Sequence, residues 1–262
     1  MAQASLGAPH IETLTFATDD GIGAVARMGM IILQSDQTLE LEAAQLIHGT
    51  GADSGIGLYH ARIPNQTEIN EETLQEMALA LPKTAALMPK EFGFDAIGYG
   101  CTSGATIIGE DEVDRLIKSA HPNAKTTNPI TACKAALQAL GLKSIALVTP
   151  YAVSVTKAMQ DNLQADGFAV TSVATFNQSD DFTVARIDAQ SLYNAVMAMG
   201  GRDDCEGVFI SCTSLRALPI IAKAEAELGK PVLSSNQVFI WHLMRLAGLK
   251  ASPKRAGRLF NI

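Results

Sequence analysis

The sequence predicts an α/β protein of two pseudo-symmetric lobes, each a parallel sheet with helices on both faces, and a cleft between them. Three observations carry this expectation. The apolar runs are continuous rather than alternating, as in strands buried on both faces, and helical segments separate them. The order of elements in the first half recurs in the second. The strand tips also repeat: "MGMIILQSDQT" (28–38) matches "KSIALVTPYAV" (143–153), and "DAIGYGCTS" (95–103) matches "EGVFISCTS" (206–214).

Taken in order, residues 1–26 read as an irregular lead-in, 27–128 as the first lobe and 129–230 as the second, with 231–262 returning to the first. The run from Met28 is a buried strand that ends in polar residues at Gln34–Thr38. Residues 70–88 have helical periodicity, and Glu71 and Glu72 sit near the start, where the helix dipole favours anions. A strand over 94–100 leads to Cys101, and a helix over 109–120 follows with acidic residues in its first turn.

In the second half a helix over 131–141 closes at a glycine. A strand over 144–154 breaks into a proline loop, and a helix over 155–167 follows. Next come a strand over 168–176, a helix over 189–200 and a strand over 207–211 before Cys212. A helix over 215–229 is expected to be interrupted near Pro219, a strand over 230–235 comes next, and a helix over 236–248 closes the chain. The polar tips Gln34–Thr38, Cys101–Ser103, Thr149–Tyr151, Cys212–Ser214 and Ser234–Gln237 all lie beyond strand carboxyl ends. In open α/β folds that is where ligands gather.

With 262 residues, 47% hydrophobic and 18% charged, the chain is long and apolar enough for a substantial core. A net charge of −7 argues against a nucleic-acid or anionic-membrane partner. No apolar run approaches the roughly 20 residues that span a bilayer, and the N-terminus lacks the pattern of a signal peptide. The expected compartment is therefore the reducing cytoplasm, where four cysteines are not expected to form disulfides.

No C-x-x-C or H-x-x-x-H spacing points to zinc. No G-x-G-x-x-G or P-loop motif is present, and the glycines at 21, 23, 51, 55 and 57 lie in loop-like sequence. No metal or cofactor is expected. The expected partner is a small-molecule carboxylate or amino acid, and a homo-oligomer is the expected assembly.

The thiols must then be core filler or chemistry. Thiolates form more readily at a helix N-terminus, where backbone N–H groups lower the pKa from about 8.5. The same N–H groups, with the hydroxyls of Thr102, Ser103, Thr213 and Ser214, make a nest for a carboxylate. Two such segments facing each other suit a reaction in which one thiolate attacks or deprotonates carbon from one side. The opposing thiol then delivers a proton from the other. A lone cysteine at a strand end is more often a small hydrophobe. Two in repeated Cys-Thr-Ser contexts, Cys101 and Cys212, point to catalysis. Cys133, in an apolar helical pattern, reads as core, and Cys205, in the polar "GRDDCEG" loop, as an incidental surface thiol.

These features resemble the aspartate/glutamate racemase superfamily, and more closely its branch of maleate isomerases, arylmalonate decarboxylases and ectoine-utilisation EutA proteins. The resemblance runs from about Arg27. It rests on the two cysteine segments, "VTPY", "TTNPITACKAALQALG", "PVLSSNQVFIWHLMRLAG" and "AGRLF", with "HARIPNQTEINEETLQEM" pointing to the EutA-like group. It implies a cofactor-independent enzyme of two α/β lobes, with Cys101 and Cys212 catalytic and Thr102, Ser103 and Tyr151 holding a substrate carboxylate. The decarboxylases replace the first cysteine by glycine, so Cys101 tilts the expectation toward isomerisation or racemisation.

Two departures stand out. Asp36 and Asp181 occupy positions where maleate isomerases carry asparagine, with Asp180 the alternative by a one-residue slip. An ionised aspartate accepts hydrogen bonds where an asparagine amide also donates. Two added negative charges suit a substrate cation, such as the ammonium of an amino or diamino acid from ectoine breakdown; the alternative is that both aspartates cap loops. His60 and Arg62 read as surface structure, and Trp241 and His242 as core or subunit packing. The competing functions are maleate cis–trans isomerisation, malonate-type decarboxylation through Cys212 alone, and simple binding of a small acid.

Overall fold

The computed structural model describes residues 11–48, 55–250, 253 and 256–262. Residues 11–25 run without helix or strand and are mostly exposed; the first ten residues of the expected lead-in, and Gly51, lie outside the described residues. The chain then alternates strand and helix. The first sheet is built from β1 (Ala26–Leu33), β2 (Ile56–Ile63), β3 (Ala96–Gly100) and β4 (Lys125–Thr127). Between them lie α1 (Leu39–His48), α2 (Glu71–Ala85), α3 (Thr102–Ile108) and α4 (Glu110–Lys118).

After α5 (Pro129–Leu140) the second sheet follows: β5 (Ser144–Thr149), β6 (Ala169–Thr175), β7 (Gly207–Ile210) and β8 (Val232–Ser234). Its helices are α6 (Val153–Ala165), the short α7 (Asp181–Val184), α8 (Ala189–Gly200) and α9 (Leu218–Leu228), and α10 (Ser235–Leu246) comes last.

The internal repeat is complete at the level of topology. One sheet has the order β2-β1-β3-β4 and the other β6-β5-β7-β8, with every pairing parallel. The central strands β3 and β7 are buried throughout, and β1 and β5 almost throughout, which is why their sequences are continuously apolar. The edge strand β2 alternates and carries the exposed His60 and Arg62, so it lacks that signature. The strand holding Gly57 was expected to be loop; Gly57 instead pairs with Arg27 of β1. The helix α1, capped by Asp36, lies in a stretch where the sequence showed only a polar tip.

Local sequence explains several boundaries. Asn128 accepts hydrogen bonds from the Ile130 and Thr131 N–H groups, Pro129 opens α5 where no N–H donor is needed, and Gly141 closes it with φ 70°. Pro219 does not interrupt a helix, as the sequence suggested, but lies in the first turn of α9, where proline is at home. Ser234 and Gln237 form a capping box at the start of α10.

α10 packs against α1 and α5 and across β3 and β4. Gly98 makes that contact possible: a Cβ there would stand 2.3 Å from the Phe239 ring. Gly98→Ala is therefore expected to lower unfolding free energy by about 1–3 kcal/mol through overpacking, measured by urea denaturation. No helix of the described residues is long and apolar enough to cross a membrane.

Candidate active site

Cys101, Thr102, Ser103, Tyr151, Asp181, Cys212, Thr213 and Ser214 line one cavity. It holds about 390 Å³ of empty space, its open mouth included, and sits beyond the ends of β3 and β7. The apolar wall comes from Leu33, Ile69, Leu74 and Met77, and the polar rim from Asn65, Gln66, Glu68 and Thr73. These wall and rim residues were not found in the sequence. They belong mainly to α2 and the segment before it, whose polar character reads as an ordinary loop.

Cys101 is the N-cap of α3, and its Sγ accepts the Gly104 N–H at 3.2 Å with the Ser103 hydroxyl at 3.7 Å. The sequence suggested that such a setting lowers the thiol pKa. Burial reverses this: it pushes Cys101 up to about 11, against the opposing pull of the Gly104 N–H and the Ser103 hydroxyl.

Cys212 is also buried and is pushed up to about 12, first by burial and then by repulsion from Asp181, against donation by Tyr151 and the Ser214 N–H. Its φ is 127°, a region that favours glycine and costs a side-chain-bearing residue about 1–3 kcal/mol. It does not lead directly into a helix: a turn separates it from α9.

The two cysteine segments are braced to one another. Ser235 shares a 2.7 Å hydrogen bond with the Thr102 hydroxyl and accepts the Cys212 N–H at 2.9 Å. Thr213 donates to the Gly100 carbonyl at 3.4 Å, and Thr38 donates to the Ser214 carbonyl at 2.9 Å. Asn236 donates to the Thr213 carbonyl and to Glu42, both at 2.9 Å.

The two aspartates separate. Asp181 lines the cavity and is buried; its carboxylate accepts hydrogen bonds from Ser214 at 2.8 Å and from Ser35. Asp180, the alternative alignment, caps α7 through Thr183. Asp36 is buried but is not among the residues that line the cavity. Its Oδ1 accepts the Thr38 and Leu39 N–H groups at 2.8 and 2.7 Å, which is the loop-capping use that the sequence left open. Burial raises its pKa.

The remaining thiols lie apart from the cavity. Cys133 is core. Cys205, expected at the surface, is buried, with Sγ against the Met199, Gly200 and Arg202 carbonyls at 3.5–3.8 Å. Its loop is polar because those side chains point outward while the thiol fills the space beneath them.

Arg62 donates to the Leu33, Gln34 and Asp36 carbonyls and pairs with Glu40, so it secures the end of β1 rather than entering the cavity. His242 shares a 2.8 Å hydrogen bond with Thr127 and stacks on the buried Trp241. No group of three or more His, Cys, Asp or Glu residues among those described is placed to hold a metal ion.

Glu42 is a buried carboxylate that sequence reasoning missed; only its position on the inner face of α1 could have flagged it. Burial pushes it up to about 7, against donation by Asn236 and the Leu218 N–H.

This is a two-lobed parallel α/β protein with a thiol at the same strand tip of each lobe. The chain belongs to the arylmalonate decarboxylase family, whose sequence model matches residues 67–260. A maleate isomerase of Alcaligenes faecalis is 24% identical over 246 residues, covering 90% of this chain and 96% of the relative.

Two solved structures share the fold. The maleate isomerase of Pseudomonas putida S16, a Cys→Ala variant with maleate, has a TM-score of 0.82 at 22% identity, covering 90% of this chain and 97% of that one. A Cys→Ser mutant of Nocardia farcinica maleate cis-trans isomerase with a covalently bound succinylcysteine intermediate has a TM-score of 0.79 at 23% identity, covering 90% and 98%.

A raised carboxyl pKa favours folding at low pH. The stability that Glu42 contributes is full below about 4.5 and is lost as pH rises through about 7. Between those limits the wild type is expected to lose about 3 kcal/mol relative to Glu42→Gln, measured by urea unfolding at pH 4.5 and 8.

Proposed function

We propose that this chain is a cofactor-independent isomerase that moves a proton on a small carboxylic acid between two opposed cysteines. One observation carries the reading: Cys101 and Cys212, from equivalent strand tips of two lobes, are walls of the same buried cavity. Cys101 takes the role of base or nucleophile, because it caps α3, where the Gly104 N–H and the Ser103 hydroxyl reach its Sγ. Cys212, kept protonated first by burial and then by repulsion from Asp181, is the acid.

In racemisation the Cys101 thiolate removes the proton next to the substrate carboxylate. The C–H electron pair moves into the C–C bond, charge develops on the carboxylate oxygens, and Cys212 delivers its proton to the opposite face. Cys101 ends as thiol and Cys212 as thiolate. For an alkene diacid the same pair performs thiolate addition to carbon, protonation of the neighbouring carbon, rotation about the new single bond, and elimination. The Tyr151 hydroxyl lies beside Cys212, and the Ser103 hydroxyl beside Cys101.

The substrate class that fits is an acid carrying a cation. Among the described residues, the cavity lining contains Asp181 and Glu68 and no Lys, Arg or His. A dicarboxylate there meets two carboxylates and no counter-charge. An ammonium group beside Asp181 cancels the repulsion that this aspartate exerts on both thiols. Amino and diamino acids of the kind released in ectoine breakdown, implied by the likeness to EutA proteins, belong to this class. Maleate isomerisation is the second reading, favoured by the relatives' activities.

Proton NMR in D₂O with a panel of amino acids, diamino acids and C4 dicarboxylates tests both. Deuterium is expected at the α-carbon of an amino acid, and Cys101→Ala or Cys212→Ala each reduce the exchange by at least ~10³-fold. Turnover confined to maleate moves the assignment to the second reading, and exchange that survives loss of both thiols ends it. Asp181→Asn is expected to weaken the amino acid's kcat/KM by about 10-fold or more while improving maleate binding. An unchanged ratio between the two substrates overturns the cation assignment.

A further inference from the structure

The turn that carries Cys212 is fastened from the other lobe by a buried polar chain outside the cavity lining. Glu42, on α1, accepts the N–H of Leu218 at 3.0 Å through Oε1, at the first residue of α9. Through Oε2 it accepts Asn236 Nδ2 at 2.9 Å, and the same nitrogen donates to the Thr213 carbonyl at 2.9 Å. One carboxylate therefore acts on both ends of the turn that runs from Cys212 to α9. Both Glu42 and Asn236 are buried, and neither lines the cavity.

The chemistry of the pair is directional. Once ionised, above about pH 7, the Glu42 carboxylate only accepts, so it fixes which end of the Asn236 amide faces it, and that end is the one that also reaches Thr213. A glutamine at position 42 cannot accept from both Leu218 and Asn236 without presenting its own NH₂ to a donor. Meanwhile the turn being held begins at a strained residue, with φ 127° at Cys212. Strain of this kind persists only where surrounding structure over-determines it.

We propose that Glu42, acting through Asn236, is a positioning residue that holds the Thr213–Ser214 peptide and so fixes the direction of the Cys212 thiol. The inference rests on the assignment of Cys212 as the catalytic acid. When the clamp is lost the turn relaxes from its strained φ, and the Ser214 N–H that supports Cys212 Sγ is withdrawn.

The test is the pH dependence of iodoacetamide alkylation at Cys212 and Cys101, followed site by site by peptide mass spectrometry, in wild type, Glu42→Gln and Asn236→Ala. The titratable groups facing Cys212 are Asp181, Tyr151 and Cys101, and all three remain in both variants. The sign of the shift discriminates between mechanisms. Deleting the charge of Glu42 lowers the Cys212 pKa by Coulomb's law alone, whereas withdrawing an N–H donor raises it.

The expected result in both variants is an upward shift of at least about half a unit at Cys212. Alkylation of Cys212 at pH 8 slows by about threefold or more, with Cys101 unmoved. A Cys212 profile that stays in place or moves downward overturns the proposal, as does an equal shift at both thiols, which marks general loosening. If Glu42→Gln does not fold, Asn236→Ala decides. The measurement needs no turnover, so its failure is distinct from that of the isomerase reading, which falls if isotope exchange survives loss of both thiols.

Discussion

The structure depends on holding two thiols at one buried point between two sheets that, among the described residues, have no strand pairing with each other. Hydrogen bonds across the strand tips meet that demand. Ser235 touches the segments of both cysteines, Thr213 reaches back to the end of β3, and Thr38 and Asn236 take the carbonyls that follow Cys212. Each lobe thus completes the other's loop. A parallel sheet leaves its carboxyl ends free for this, because the crossover helices occupy the faces and not the ends.

Burial sets the electrostatics of the site more strongly than any single partner. Both thiols, Asp36 and Glu42 are pushed toward their neutral forms even though each has N–H donors aimed at it. Such a site is quiet when empty and responds to what enters. Whatever charge a ligand brings is felt at short range in a medium that screens it little. Asp181 is the carboxylate of this arrangement that lines the cavity, and Ser35 and Ser214 hold its oxygens from opposite lobes.

Much of this was legible because the repeat is written twice. The continuous apolar strands β1, β3, β5 and β7 announce parallel sheets, and the duplicated Cys-Thr-Ser triplet marks equivalent tips of two lobes. Cys101 and Cys212 could be picked out on that basis, whereas Tyr151 and Asp181 came from the resemblance to the maleate isomerase branch. Other features were hidden for physical reasons. β2 is an edge strand whose alternating burial mixes His60 and Arg62 into an otherwise apolar run. Glu42 looks like any helix-surface glutamate until α1 is docked. Cys205 sits in a polar loop that folds over its own sulfur. Asp36 and Asp181 look alike in sequence, and only the tertiary placement of α1 and α7 separates a cap from a cavity wall.

The cavity's rim has a mechanical consequence. The segment after β2 crosses to the second lobe, where Glu68 bridges Asp180, Ile69 donates to Ser179 at 2.7 Å, and Thr67 accepts the Asp181 N–H at 2.9 Å. The doorway is therefore stitched by main chain to the residue that carries the charge inside. Widening the threshold would have to break these main-chain bonds, so the fold that shapes the entrance also holds the backbone of Asp181 in place.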